Sequence, residues 1–370
     1  MNNIDKYKNE LPYWMVLAHL PKMYTSRKTE LVIEFYTRKL NIIDFFTSER
    51  DNWEAIYKVS EDEKHLLDSA ISELANYAFL AEDLLNQGYK IIPIISEEYS
   101  KTLKLNLKKN SPILLYTKGN TNIMSEQTIA IVGSRKASDV SLEFTDNVAK
   151  KASAEYKVVV SGFAKGVDKQ ALDSAINYKG QSIIVLPQGI TTFSSGFKKY
   201  YNQILKGDVL VVSTFHPKAP WKVELAMSRN AIIYGLSKEI YVAESDNKGG
   251  TWAGATAGIK KKNTVYIRCS NMNENNANME LISLGGIPVD MFGDVTSIDE
   301  KASVSIEERV VDLLTSKHLS SDEIIMELEL DWTPRKMTTL LNKMENVMSK
   351  TIKSKKVFFV ELEQHSLSLF

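Results

Sequence analysis

Three places in the chain set glycines, hydroxyls or cations directly after a short apolar run: Val132-Gly133-Ser134-Arg135-Lys136, Ser161-Gly162-Phe163-Ala164-Lys165-Gly166-Val167-Asp168, and Ala243-Glu244 followed by Gly249-Gly250-Thr251. A helical pattern begins soon after each, so each reads as a strand-to-helix turn. Such turns suit anions. Glycine lets backbone approach closely, the first helical N–H groups point at the ligand, Arg135 offers a two-pronged donor and Lys165 a point charge. The candidate phosphate ligands are therefore Gly133, Ser134, Arg135, Ser161, Gly162, Lys165, Gly166, Gly250 and Thr251. The three-glycine dinucleotide fingerprint is missing, and a tight turn with an exposed arginine accounts for the first site equally well. Asp168 stands just before an apolar helical pattern and reads as an N-cap rather than a catalytic acid. Arg229 and Asn230 lie in an otherwise apolar helical stretch, either as a buried hydrogen-bonding pair or as a second clamp on a ligand backbone.

Other chemistries find little support. The one cysteine, Cys269, excludes an intrachain disulfide and a cysteine-rich zinc site. His19, His65, His216, His318 and His365 are too scattered for a local metal motif, and no nucleophile elbow is present. We therefore expect no metal, no cofactor and no catalytic residue. With 46 Lys+Arg against 46 Asp+Glu, any nucleic-acid site must be a local basic patch. The opening residues MNNIDKYKNELPYW lack an apolar signal core, and no apolar run is long enough to span a bilayer, so a soluble cytoplasmic protein is expected.

The elements that must hold these turns are legible. Residues 1–87 carry apolar positions at helical spacings, such as Leu66, Ile71, Leu74, Tyr77, Leu80 and Leu84, and end at Gly88, a residue suited to positive φ. Tyr89 to Ile95 then reads as a strand. Apolar runs at 128–132, 157–160, 182–186, 208–212, 239–243 and 264–267 alternate with helical patterns near 140–154, 168–178, 222–234 and 252–261. That rhythm predicts an α/β fold of the doubly wound type, a mainly parallel sheet covered on both faces, with ligands at the carboxyl ends of its strands. The segment MFGDVTSIDEKAS reads as a linker, placed at 293–302. In 303–370, three helical patterns and two β-rich pieces follow, with Ser320 and Thr333 as N-caps and Pro334 at a first helical position, as in a winged helix.

The order of these pieces resembles the DprA (Smf) family of DNA-processing proteins. The carrying motifs are GSR, SGFAKGVD, RNAIIYGLS, and AES with GGT and the alanines Ala253, Ala255 and Ala257. The resemblance implies a SAM-like helical domain at 1–87, an extended Rossmann domain at 88–292 and a winged-helix domain at 303–370. It also implies single-stranded DNA as ligand, a homodimer, and loading of RecA recombinase during natural transformation. Carried over by position, Arg135 and Lys165 match the family's basic DNA contacts, while Gly133, Ser134, Ser161, Gly162, Gly166, Arg229 and Asn230 match the turns and clamp helix. Phe163 is the nearest ring for base stacking, and turn packing explains it as well.

The chain departs from the family pattern at Leu172 (usually His), at Ala226-Met227 (FP), at Ala231 (the second Arg of RNR) and at Ser213-Thr214-Phe215-His216-Pro217 (an acidic segment). One alternative is therefore a nucleotide-sensing or regulatory module with a protein partner, as in defence or toxin–antitoxin-like pairs. Another is a phosphoribohydrolase-like enzyme, but where that chemistry needs a glutamate after GGT this chain has Gly254, with Glu244 as a conceivable substitute. In the C-terminal unit Arg335, Lys336, Lys350, Lys353, Lys355 and Lys356 either touch duplex DNA or a protein partner, or solubilise the unit beside Asp322, Glu323, Glu327, Glu329 and Asp331.

Overall fold

The structure is a computed structural model that describes residues 7–271, 274–297, 306–328, 330, 332–352 and 355–360. Five helices come first: α1 (Leu11–Ala18), α2 (Thr25–Thr37), α3 (Ile42–Phe46), α4 (Glu61–Ile71) and α5 (Leu74–Asn86). Asn41 and Ser60 close capping boxes on α3 and α4, satisfying N–H groups that a helix start leaves free. Gly88 follows α5 with φ 76°, the left-handed stop its sequence position implies.

The sheet opens with β1 (Lys90–Pro93) and β2 (Leu114–Lys118), with α6 (Lys101–Leu107) between them. The parallel part alternates β3 (Thr128–Gly133), α7 (Asp139–Ala154), β4 (Val158–Ser161), α8 (Val167–Asn177), β5 (Ser182–Val185), α9 (Ser194–Lys199), α10 (Tyr201–Lys206), β6 (Val209–Ser213), α11 (Val223–Leu236), β7 (Glu239–Glu244), α12 (Gly250–Lys260), β8 (Thr264–Arg268), α13 (Asn278–Ser283) and β9 (Ile287–Val289). The nine strands lie in the order β1-β2-β6-β5-β4-β3-β7-β8-β9. Only the β1–β2 and β2–β6 pairings are antiparallel. Runs such as Val158-Val159-Val160 are buried on both faces, which explains their continuous apolar character. β2 and β9 have no counterpart in the sequence reading: β2 is a five-residue, largely apolar run whose pairing is made by other segments of the chain, and β9 has three residues, too few for a periodic pattern.

Strand order reverses at β3, whose neighbours are β4 and β7. The crevice above such a switch point is where doubly wound sheets bind ligands. One apolar cluster runs from Leu11 and Trp14 through Tyr116 and the β4–β6 strands to Ile282, so the N-terminal helices share a core with the sheet. Among the described residues no helix is long and apolar enough to cross a membrane.

Residues 290–296 fold back on β9, with Val295 bridging Val289 and Thr296 N–H donating to Pro288 O. The rest of the expected linker, 298–302, lies outside the described residues. Helices α14 (Ile306–Ser316), α15 (Ser321–Glu327) and α16 (Pro334–Leu341) and the hairpin β10 (Val347–Ile352) with β11 (Lys355–Val360) follow, around a separate core of Val310, Leu314, Ile324, Met337, Leu341 and Phe358. Ser320 and Thr333 cap α15 and α16 as expected. Glu329, Asp331, Lys353 and 361–370 lie outside the described residues.

Candidate functional site

A cleft of about 600 Å³ opens at the switch point. Its floor is the end of β3 against the end of β7, where the register shifts at Val132/Gly133 and brings Gly133 beside Glu244. Such an irregularity re-aims the strand ends. Ser134 N–H donates to Glu244 O (3.0 Å), and Thr251 Oγ1 donates to Gly133 O (3.1 Å), which ties the start of α12 to the turn. The Ser134 hydroxyl accepts from Lys136 N–H (3.0 Å), and its own proton remains available to a ligand.

The cleft gathers Gly133, Ser134, Arg135, Arg229, Asn230, Gly250 and Thr251 from the sequence candidates. It also gathers exposed Lys136, Lys248 and Gly249, which the sequence reading did not select. α12 starts at Gly249 (φ 90°) without a side-chain cap, so its N-terminus presents positive charge to the cleft. A Cβ at Gly249 would meet nothing within 4 Å, whereas one at Gly250 would press on Asn230 Nδ2 (2.5 Å). Gly249 is thus the open glycine of the third turn, and its signal was the paired glycine itself.

The second turn behaves differently. Ser161 is buried and donates to Ile131 O (3.4 Å), and Gly162 lies under the Arg229 guanidinium, where a Cβ would fall 1.0 Å from Nη1. Gly166 (φ 83°) is packed against the first turn, and a Cβ there would approach Ser134 O to 2.4 Å. Ser161, Gly162, Lys165 and Gly166 do not line the cleft; Lys165 stands exposed outside it. Phe163 packs edge-on against Phe193 (5.0 Å) and Tyr200 (5.7 Å), which is the turn-packing role.

Asp168 is not the N-cap of α8. Gly166 occupies that position, and the Asp168 carboxylate accepts from Arg229 Nη1 (3.4 Å) in a buried ion pair. The pattern misled because a carboxylate in a first helical turn and one at a cap look alike in sequence. Burial pushes Asp168 up and Arg229 down, each toward its neutral form, and their mutual attraction offsets only part of this. Arg229 Nε is buried with no hydrogen-bond partner among the described residues, closed off from the cleft by its own packing. Glu244 is occupied: its Oε2 accepts from Ser138 N–H (3.0 Å), Ser138 Oγ (2.6 Å) and Ser141 Oγ (2.7 Å), fastening the start of α7.

The fold also joins histidines that sequence left apart. His19 Nε2 pairs with Tyr116 Oη (2.7 Å) and meets His216 edge-on (5.2 Å). Burial lowers His19 to about 3 and also lowers His216, so both are neutral at pH 7. Among the described residues no group of His, Cys, Asp and Glu could hold a metal ion.

The family model of DNA recombination-mediator protein A matches residues 90–297, which contain the whole strand-end cleft. The chain belongs to this family. The DNA recombination-mediator protein A match covers more than half of the chain. DNA processing protein DprA of Streptococcus pneumoniae is 33% identical over 143 residues, 38% of this chain and 50% of that one. DNA processing protein DprA of Bacillus subtilis is 28% identical over 189 residues, 49% and 60% of the two. The chain thus spans about half the length of the curated relatives it matches. The X-ray structure of the S. pneumoniae DprA shares the fold, with a TM-score of 0.62 at 21% identity over 78% of this chain and 95% of that one.

Proposed function

We propose that this member of the DNA recombination-mediator protein A family binds single-stranded DNA in the switch-point cleft and acts in DNA processing as a non-enzymatic mediator. The observation that carries the reading is the convergence of Arg135, Lys136, Lys248 and the uncapped start of α12 on one cleft. Arginine and lysine neutralise successive phosphates while backbone and hydroxyl donors fix the path of the strand. Lys165 serves as an outer contact, beyond the cleft lining. Glu244 is tied to Ser138 and Ser141, which supports a structural role over an acid or base. Loading of RecA recombinase, a homodimer, and a winged-helix role for 303–370 in meeting duplex DNA or a protein partner complete the proposal. In that C-terminal unit Lys336 lies over Trp332 (3.9 Å) and Lys350 over Phe359 (4.7 Å).

Titration of labelled oligo-dT at several salt concentrations tests the reading, with duplex and mononucleotide competitors. Binding should weaken with a log–log slope of about −0.7 per neutralised phosphate. A rise in melting temperature with a mononucleotide, without binding of the oligonucleotide at low salt, would favour the nucleotide-sensing alternative.

A further inference from the structure

Helix α11 separates the strand-end cleft from two other depressions. A slot of about 220 Å³ lies between α11 and α12, and it shares Met227, Asn230, Tyr234 and Gly250 with the strand-end cleft. A second cleft of about 680 Å³ lies beyond, against the start of α2 and the 214–216 segment, and it shares Leu107, Ala231 and Lys261 with the slot. The three depressions therefore follow one another around α11. Ala231 stands at the second junction, exposed, with only a methyl group to occupy it.

Charge changes along this route. Asp168, Glu244 and Asp246 line the first cleft beside its cations, but the described lining of the slot and of the far cleft contains no aspartate or glutamate. Lys261 lies exposed on the route, and Lys28 lines its far end. Lys28 is buried, and its ammonium donates to Ala18 O (2.7 Å) and Leu20 O (2.9 Å). An ammonium has three N–H donors, so one remains, and no carboxylate of the cleft lining neutralises it. Burial lowers Lys28 to about 8, which leaves it mostly a cation at neutral pH. Tyr24, 83% exposed, stands at the rim and offers a free ring face. Cations without acids, an exposed ring and adjoining depressions match the requirements of an unpaired polyanionic strand.

We propose that a single strand leaving the strand-end cleft passes through the α11–α12 slot, crosses over Ala231 and Lys261, and ends against Lys28 and Tyr24. One chain then holds a longer strand than the cleft alone. This rests on the single-strand reading of the strand-end cleft. Ala231 keeps the route open, because a larger side chain there would fill the junction.

The test compares a short oligo-dT of about 5 nucleotides with a long one of about 15, within the range of known single-strand site sizes. Full-length protein, Ala231→Leu and Lys261→Glu are titrated with both, and thermal melts check that the variants are folded. Leucine adds bulk without charge on an exposed helical position, and glutamate reverses charge at an exposed one. The wild type should bind the long strand about a hundredfold more tightly than the short one, beyond the roughly tenfold that the extra registers of a longer homopolymer supply by statistics alone. Both variants should lose most of that gain while binding the short strand within about twofold of wild type, and Lys261→Glu should also flatten the salt slope for the long strand. Loss of short and long binding together, or a length gain untouched by either variant, would overturn the route. A wild type that binds the short strand with no gain for the long one beyond that statistical factor would overturn the route and leave the cleft reading standing. Absence of binding to either strand would sink the cleft reading itself.

Discussion

The first and second strand-to-helix turns look like two halves of one cradle, since both follow an apolar strand with glycine, hydroxyl and cation. In the folded chain they do opposite work. The 133–136 turn faces the switch point and gives Ser134, Arg135 and Lys136 to the cleft, whereas the 161–166 turn is packed under Arg229 and against the first turn. The difference shows that a glycine in a phosphate-like motif has two uses, admitting a ligand or admitting the protein's own side chain. Gly162 is of the second kind. Even Gly133 is crowded, with a Cβ there meeting Val167 Cγ2 at 2.5 Å, so the first turn opens to the cleft through the residues after the glycine.

Substitutions separate the two turns. The largest effect is expected from Gly162→Ala, whose methyl group would displace the Arg229 guanidinium from Asp168 and so cost about 3 kcal/mol, the scale for breaking a buried pair. Denaturant unfolding measures it, and a midpoint equal to that of wild type would remove the distinction between the turns. Next, Arg135→Ala with Lys136→Ala should leave stability unchanged, lower oligo-dT affinity roughly tenfold at moderate salt and reduce the magnitude of the salt slope by about 1.4. Unchanged affinity there would mean that the first turn does not face the ligand.

Gly249→Ala should cost roughly 1–2 kcal/mol of stability, because its backbone (φ 90°, ψ −171°) lies in an extended positive-φ region essentially reserved for glycine, although its Cβ would point into open space. A much larger loss in a thermal melt would show that the third turn is packed like the second. The smallest effect belongs to Lys165→Ala, which should weaken binding about twofold through screened attraction alone. A loss as large as that of the first-turn variant would return the second turn to the cradle.

Much of this was readable before folding. Continuous runs such as Val209-Leu210-Val211-Val212 identify strands covered on both faces, and polar starts such as Ser320 and Thr333 mark helices, because burial and capping act over a few neighbouring residues. Arg135, Ser134, Gly250 and Thr251 were recognisable for the same local reason. β2 escaped notice because its pairing with β1 and β6 is made by distant segments, and Asp168 was misplaced because its partner lies 61 residues away.

The sequence alone thus determined the alternation of strands and helices, the position of the strand-to-helix turns and the residue types able to meet phosphate. These depend on periodicity, caps and glycine, which are properties of short stretches. Tertiary structure decided which turns line the cleft. Strand order set β3 beside β7, so the cleft formed with the third turn, and the packing of α11 over β4 buried the second turn beneath Arg229. It also placed His19 beside His216 and set Lys28 in a cleft without acids, because contacts between segments far apart in the chain are fixed only when the sheet closes over its core.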